Sequence, residues 1–380
     1  MVATAMLLMA GLLTVYTSSF AVSYLEFGST TYFLARQAVF ALIGLAALVY
    51  FMRLDYRQLR HLAAPMMVLA LIGLLAVLIP GIGVERNGAR RWLELGPLTF
   101  QPSEFAKLAV IIYISAWLAG RRQDINKFTL GFAPFVLMVS VVGGLVIIEP
   151  DMGTTIIIVL TTGTLFFVAG APLSHLALIM VSGGLVSYAM ILIQDYRLDR
   201  ITSFLSPETD PQGNGFHILQ LLIALGSGGV TGLGWGVSRQ KVFYVPSAHT
   251  DGVFAIIGEE LGFIGLMGIL ALFTLFVFRG LKATYATRDQ FGTLLGVGIV
   301  SWISYQTLIN IGGITRSIPL TGVPLPFLSY GGSSLVAVMA GAGILLSLSR
   351  YGRGRSSAER PKARARRYAG RGSVLGRDST

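Results

Sequence analysis

The feature that most constrains this chain is a series of ten apolar runs, each about 20 residues long, the length that an α-helix needs to cross a bilayer. Only 12% of the 380 residues are charged, about half the share in a soluble domain, and the mean hydropathy is +0.71. A soluble enzyme is therefore excluded, and we predict an all-α polytopic membrane protein with ten transmembrane helices. The predicted spans are 3–23, 33–52, 64–80, 101–119, 131–148, 152–170, 173–194, 253–278, 291–313 and 332–350.

The basic residues are unevenly divided between the two sides that ten spans define. With both termini in the cytoplasm, the inner segments hold 19 of the 29 Lys and Arg, ten of them between positions 350 and 377. Excess Lys and Arg in cytoplasmic segments is the rule for membrane proteins, so both termini are predicted to be cytoplasmic. A basic tail beside anionic lipid also explains the net charge of +11 without a nucleic-acid partner.

The predicted domain organisation is simple, with one exceptional loop. Residues 1–350 form the ten-helix domain, and residues 351–380, rich in Arg, Gly and Ser, are predicted to be a disordered tail. Residues 195–252 form a loop of 58 residues on the outer side, between the seventh and eighth spans. Loops longer than about 15 residues are usually functional or disordered. Because this one contains aromatics, Pro and a Gly-rich stretch at 226–236, we expect it to be structured and functional.

Two opposite charges lie where the fourth span begins. Glu104 and Lys107 are three residues apart and therefore share one helix face. Charged groups at membrane depth are costly and usually functional. The pair is open to two interpretations: an internal ion pair that neutralises both charges, or a lysine presented to an anionic ligand and oriented by Glu104.

Further cations are predicted on the same outer side. Arg36 stands at the mouth of the second span, Arg91 precedes Trp92, and Lys241 follows the Gly-rich stretch. Each alone can be a solvated side chain. Together they suit a phosphate or pyrophosphate, which Arg and Lys bind well. An anionic lipid head group at the outer leaflet is the natural ligand for this set.

Asp251 ends the long loop, directly before the eighth span. A carboxylate at this place can be a simple helix cap; the alternatives are a general base or a ligand of Mg²⁺ or Mn²⁺. His249 can support any of these roles or be a surface imidazole. The chain has no Cys, so thiolate chemistry is excluded. The Gly-rich stretch lacks the Lys-Ser/Thr ending of a nucleotide loop, and no organic cofactor is expected.

Several sequence blocks on the predicted outer side resemble one known family. They are Gly-Ala-Arg-Arg-Trp at 88–92, Gln-Pro-Ser-Glu at 101–104, Glu-Pro-Asp-Met-Gly-Thr at 149–154, Ala-His-Thr-Asp at 248–251, Ile-Gly-Glu-Glu-Leu-Gly at 257–262 and the Pro-rich block at 324–334. Together they resemble the SEDS (shape, elongation, division and sporulation) peptidoglycan glycosyltransferases over roughly residues 2–350. The block at 238–241 and the Ala before His249 are closer to the FtsW-type division branch than to the RodA-type elongation branch.

This resemblance implies a function and a set of site residues. The family polymerises lipid II, a disaccharide-pentapeptide on undecaprenyl pyrophosphate, into glycan strands at the outer face of the bacterial cytoplasmic membrane. Its essential aspartate corresponds to Asp251, its fourth-span pair to Glu104 and Lys107, and its second-span arginine to Arg36.

The partner expected from the resemblance is a class B penicillin-binding protein, together with other division proteins at the septum. Two alternatives remain open at this point. One is a lipid II flippase, which would use the same cations, and the other is a RodA-like polymerase for cell elongation.

Overall fold

The computed structural model describes residues 1–86, 88–96, 98–193, 195–209, 213–241 and 248–371 of the chain. Its helices are α1 (Val2–Phe27), α2 (Tyr32–Arg53), α3 (Gln58–Leu78), α4 (Pro102–Ala119), α5 (Ala133–Ile148), α6 (Met152–Val168), α7 (Leu173–Ile193), α8 (Asp195–Leu205), α9 (Asn214–Ser227), α10 (Val253–Tyr285), α11 (Gln290–Ile314) and α12 (Gly332–Arg371). Every predicted span coincides with one of these helices. The polytopic helical class is confirmed.

One of the ten predicted spans is short for a transmembrane helix. Among the described residues, nine helices are long and apolar enough to cross a membrane. The helix of the sixth predicted span, α6, has 17 residues and is shorter than these. Ten spans therefore remain a prediction.

The centre of the bundle is formed by α4, α11 and α12. About three quarters of the apolar window of each is buried inside the protein, whereas none of the α7 window is. A helix that is apolar on all faces suits such a central position. Small residues allow the closest crossings: a Cβ at Gly343 of α12 would lie 2.5 Å from the backbone oxygen of Leu48 on α2.

A small antiparallel sheet lies between α3 and α4, in a segment where the sequence predicted only an outer loop. Its strands are β1 (Gly83–Arg86), β2 (Ala89–Leu95) and β3 (Leu98–Phe100), in the order β1-β2-β3. Val84 pairs with Trp92, and Leu93 pairs with Phe100. Strands of three to seven residues carry too little alternation to be recognised beside long apolar runs. Arg91 lies on the central strand of this sheet. The sheet was not expected in a protein predicted to be all-α.

The long loop contains α8, a 3-10 turn (Pro207–Thr209) and α9, followed by the Gly-rich stretch. The Gly-rich stretch packs on α10, because the backbone nitrogens of Leu233 and Gly234 donate to the carbonyl oxygens of Glu259 and Glu260 at 2.9 and 3.1 Å. At Gly262, φ is +66° and α10 is interrupted. Only a residue without a side chain adopts this geometry readily.

Two buried carboxylates fix the end of the Gly-rich stretch. Glu259 accepts hydrogen bonds from Ser238 Oγ and from the backbone nitrogen of Arg239, the latter at 2.8 Å. Glu260 accepts from Lys241 Nζ at 2.8 Å. These bonds anchor the loop on the same helix that begins just after Asp251.

The last helix runs on to Arg371, into the segment that the sequence predicts to be disordered. Residues 372–380 of that tail lie outside the described residues. The division of the chain at residue 350 stays a prediction.

Candidate active site

A cavity of about 830 Å³ lies at one end of the bundle, on the side predicted to face outward. Its wall includes the starts of α2, α4, α6 and α12 and the turn before α10, together with β2, α8 and α9. A helix N-terminus carries a partial positive charge and unpaired N–H groups. Several N-termini directed at one cavity therefore favour a negatively charged ligand.

The cavity brings together most of the site residues expected from the sequence. Its lining includes Arg36, Arg91, Glu104, His249 and Asp251, which come from four separate segments: α2, β2, α4 and the turn before α10. Lys107 and Lys241 are not among its lining residues. Five of the seven predicted site residues can therefore contact a ligand in this cavity, and two cannot.

Asp251 lies in the turn directly before α10, and its side chain is partly exposed in the cavity. Thr250 Oγ1 donates to Asp251 Oδ1 at 3.0 Å. The Asp251 backbone oxygen accepts from Asn310 Nδ2 at 3.0 Å, and the same amide donates to the Val323 oxygen at 2.8 Å. The backbone at Asp251 is therefore fixed by α11, while the carboxylate remains accessible. A simple cap of α10 is not observed: the N-cap residue is Gly252, and it has no side-chain cap bond.

His249 is held by aromatic contacts. Its ring centroid lies 4.7 Å from that of Phe33 and 5.6 Å from that of Tyr330. The Tyr330 backbone nitrogen also donates to the His249 oxygen at 2.8 Å. Burial lowers the pKa of His249, with the Asp251 charge opposing the shift. At neutral pH the imidazole is therefore uncharged and can exchange hydrogen bonds with a ligand without adding charge.

Glu104 and Lys107 form a buried ion pair. Lys107 Nζ donates to Glu104 Oε1 and to Gln306 Oε1, both at 2.9 Å. Trp302 Nε1 donates to the same Gln306 oxygen at 2.8 Å, and the Lys107 ammonium lies 5.3 Å from the Trp302 ring centroid. Glu104 Oε2 has no hydrogen-bond partner in the described part of the chain. Because Glu104 lines the cavity and Lys107 does not, this geometry favours the internal ion pair over a directly presented lysine.

The two cavity arginines are oriented by neighbouring groups. Arg36 Nη1 donates to the Tyr32 hydroxyl at 2.9 Å. Arg91 Nε donates to the Glu149 oxygen at 2.8 Å, and its Nη2 donates to the Pro150 oxygen. A guanidinium has five N–H donors, so Arg91 keeps donors for a ligand after it has bound this turn.

Lys241 is not placed with the other expected ligand-binding residues. Its ammonium is buried between the Glu260 carboxylate and the Gly236 backbone oxygen, at 2.8 and 2.7 Å. Its side chain is 2% exposed. Through these bonds Lys241 links the Gly-rich stretch to α10, so its charge is already neutralised within the protein.

Asp151, His217 and Arg200 also line the cavity, although they were not predicted as site residues. Asp151 caps α6 by accepting from the Thr154 nitrogen at 3.0 Å, and it also accepts from Gln101 Nε2 at 3.5 Å. His217 lies on α9 and Arg200 on α8. Asp151 could have been found from its acidic motif at the mouth of a span. His217 and Arg200 carried no signal, because each is a single polar residue in a long loop.

Glu149 is a buried carboxyl group beside this wall. Both carboxylate oxygens are without a hydrogen-bond partner among the described residues. Burial raises the pKa of Glu149 to about 8, the Asp151 charge adds to the rise, and the Arg91 charge opposes it. At neutral pH the group is therefore mostly protonated.

This raised pKa makes a prediction about stability. Unfolded Glu149 loses its proton near its ordinary pKa of 4.5, whereas the folded group keeps it up to about pH 8. Stability is thus lost as pH rises from about 5 to 8. The Glu149→Gln substitution removes this loss, so its midpoint of thermal unfolding should rise relative to wild type across that interval. If the unfolding midpoints of wild type and Glu149→Gln changed in parallel with pH, the raised pKa of Glu149 would be contradicted. Glu85→Gln, at an exposed glutamate, serves as the control.

Sequence comparisons place the chain in a family. The model of the FtsW, RodA and SpoVE family, described as "Cell cycle protein", matches residues 1–354. Stage V sporulation protein E of Bacillus subtilis strain 168 is 43% identical over 92% of this chain and 96% of its own length. A protein named probable peptidoglycan glycosyltransferase FtsW, from Geobacter metallireducens, is 38% identical over 89% of this chain and 90% of its own length.

Solved structures agree with this placement. A chain from a structure described as "Structural coordination of polymerization and crosslinking by a peptidoglycan synthase complex" superposes with a TM-score of 0.76 at 29% identity, covering 92% of this chain and 96% of that one. The rod shape determining protein RodA of Thermus thermophilus gives a TM-score of 0.69 at 29% identity, covering 92% and 95%. The sequence blocks, the helical bundle and these matches agree: the chain is a multi-pass membrane protein of the FtsW/RodA/SpoVE cell cycle family.

Proposed function

We propose that this protein is an inverting peptidoglycan glycosyltransferase that polymerises lipid II at the outer face of the cytoplasmic membrane. The observation that carries the proposal is the single cavity that unites Asp251 with Arg36, Arg91 and Glu104 at the end of the bundle where helix N-termini converge. Relatives of this chain bear the name peptidoglycan glycosyltransferase, which supports the same reaction class.

Asp251 is the general base of the proposed reaction. A sugar 4-hydroxyl of the incoming lipid II attacks the anomeric carbon at the reducing end of the growing strand. Its proton passes to the Asp251 carboxylate as the new C–O bond forms and the bond to undecaprenyl pyrophosphate breaks. A neutral hydroxyl is a poor nucleophile, and general-base assistance contributes about 10²–10⁴-fold. The partial exposure of Asp251 in the cavity is consistent with direct contact with a hydroxyl.

The leaving diphosphate needs positive charge where its own charge develops. In the proposed complex Arg36 and Arg91 supply this charge through N–H donors, and the helix N-termini around the cavity add to it. Lys107 has an indirect role, because its hydrogen bond holds the Glu104 carboxylate in place. The apolar helix faces would hold the polyprenyl chain, which keeps donor and acceptor at one depth in the membrane.

A divalent cation would be held at this site together with the substrate. In the described part of the chain, no three His, Asp or Glu side chains converge to form a metal site. Mg²⁺ and Mn²⁺ are often held by one or two carboxylates together with substrate phosphates. The residue here that fits is Asp251, and a bound cation would supply charge stabilisation to the diphosphate.

The cellular setting is also proposed. We place both termini in the cytoplasm, on the basis of the basic inner segments, and assign the protein to septal wall synthesis with a class B penicillin-binding protein and other division proteins as partners. The match to a chain of a complex described as joining polymerisation and crosslinking supports such a partner. The 43% identity to a sporulation protein makes spore wall synthesis the second candidate process.

The test is polymerisation by the purified full chain together with a transpeptidase-inactive class B partner. Labelled lipid II should be converted to long glycan strands, and the same reaction with EDTA shows whether a metal is required. Failure to form strands, with both proteins folded and associated, would reject the polymerase. A lipid-scrambling assay would then test the flippase.

A further inference from the structure

A second imidazole, that of His217, lies in the wall of the cavity that contains Asp251. It belongs to the first turn of α9. Its Nε2 atom is buried and has no hydrogen-bond partner among the residues that the structure describes. A buried polar atom without a partner costs about 1–3 kcal/mol, so native proteins rarely leave one unexplained. Because His217 lines the cavity, a ligand bound there can supply the missing partner.

The surroundings of His217 keep its ring neutral. Burial is the main cause that lowers its pKa; the Asp251 carboxylate opposes this shift and the Arg200 guanidinium adds to it. A neutral imidazole offers one N–H donor and one lone pair. A hydroxyl or amide group of a saccharide can form one hydrogen bond with such a donor or acceptor. A diphosphate is bound more strongly by charged donors.

His217 and Asp251 line the same cavity. His217 and Asp251 come from the segment that links α7 to α10, and the two interact electrostatically. The cations assigned to the diphosphate, Arg36 and Arg91, come instead from α2 and β2. Because both residues line one cavity, a group that contacts His217 can belong to the same saccharide as the hydroxyl that Asp251 would deprotonate.

We propose that Nε2 of His217 hydrogen-bonds a hydroxyl or acetamido group of the acceptor saccharide and so positions the attacking hydroxyl at Asp251. This assignment rests on the proposed function, since it takes lipid II as the acceptor. His217 transfers no proton in this scheme. It is a substrate-positioning residue whose removal weakens binding.

The experiment measures binding of fluorescently labelled lipid II to the full chain in nanodiscs, without any turnover. His217→Ala should raise Kd about three- to tenfold, the loss of one neutral hydrogen bond. His217→Gln should stay within about twofold of wild type, because an amide supplies both a donor and an acceptor. His175→Ala is the matched control. Its buried Nδ1 atom also has no hydrogen-bond partner within the described ranges, but His175 packs against Phe132 and Phe166 and does not line the cavity.

Each result has a definite meaning. An unchanged Kd for His217→Ala would overturn the assignment, as would an equal loss in His217→Gln, which would indicate lost packing. A loss of binding by the Ala variant alone would support it, even if the wild-type chain formed no glycan strands and the polymerase proposal failed. Strands from wild type with an unchanged Kd for His217→Ala would reject the positioning role alone. No binding by wild type would reject both.

Discussion

Replacing Asp251 with Asn should lower the rate of glycan polymerisation by about 10²–10⁴-fold, the usual contribution of a general base. The amide has nearly the same shape as the carboxylate but cannot take up the hydroxyl proton. The fold should survive, because the amide oxygen can still accept from Thr250 Oγ1 and the Asn310 bond goes to the backbone. The measurement is strand formation from labelled lipid II with the transpeptidase-inactive partner present.

A matched carboxylate shows whether the effect is specific. Asp199 lies on α8 in the same long loop, is exposed, and is not among the residues that line the cavity. Asp199→Asn should polymerise at the wild-type rate. If folded Asp251→Asn, bound to its partner, also did so, Asp251 would not be the base, and the carboxyl groups of Asp151 and Glu104 would have to be tested in its place.

The helices could be predicted from the sequence because a bilayer imposes a simple length rule. The fourth span, expected at 101–119, is the helix Pro102–Ala119. The same rule cannot detect the sheet at 83–100, whose strands are short and lie outside the apolar runs. Nor does it give the full length of α10, which continues past the predicted end at 278 to Tyr285.

The candidate site was predictable where a residue lay within a recognisable motif. Asp251 and Glu104 were found in this way, and Arg36 was found from its position at the mouth of the second span; the structure places all three in one cavity. Lys241 was expected there too, but Glu260, 19 residues further along, holds its ammonium. No local pattern shows which carboxylate will pair with a given lysine. His217 was missed for the same reason, since only the folded chain brings it into one cavity with Asp251.

Replacing Lys107 with Met should lower the free energy of unfolding by about 3–5 kcal/mol, the usual cost of removing one partner from a buried ion pair. Lys107 and Glu104 are each 2% exposed, and Lys107 Nζ donates to Glu104 Oε1 and to Gln306 Oε1. Met fills a similar volume, so the loss reflects the charge left on Glu104. The measurement is denaturant unfolding of the purified chain in mixed micelles.

Two further variants separate charge from packing. The double variant Glu104→Gln/Lys107→Met should recover most of the lost stability, because it leaves no buried charge to compensate. Lys127→Met is the matched control: Lys127 forms a 2.8 Å pair with Asp124 at the same three-residue spacing, but its side chain is 61% exposed. Exposed pairs contribute at most about 1 kcal/mol. If Lys107→Met were as mild as this control and instead abolished lipid II binding, Lys107 would be a ligand contact and the internal ion pair would be the wrong interpretation.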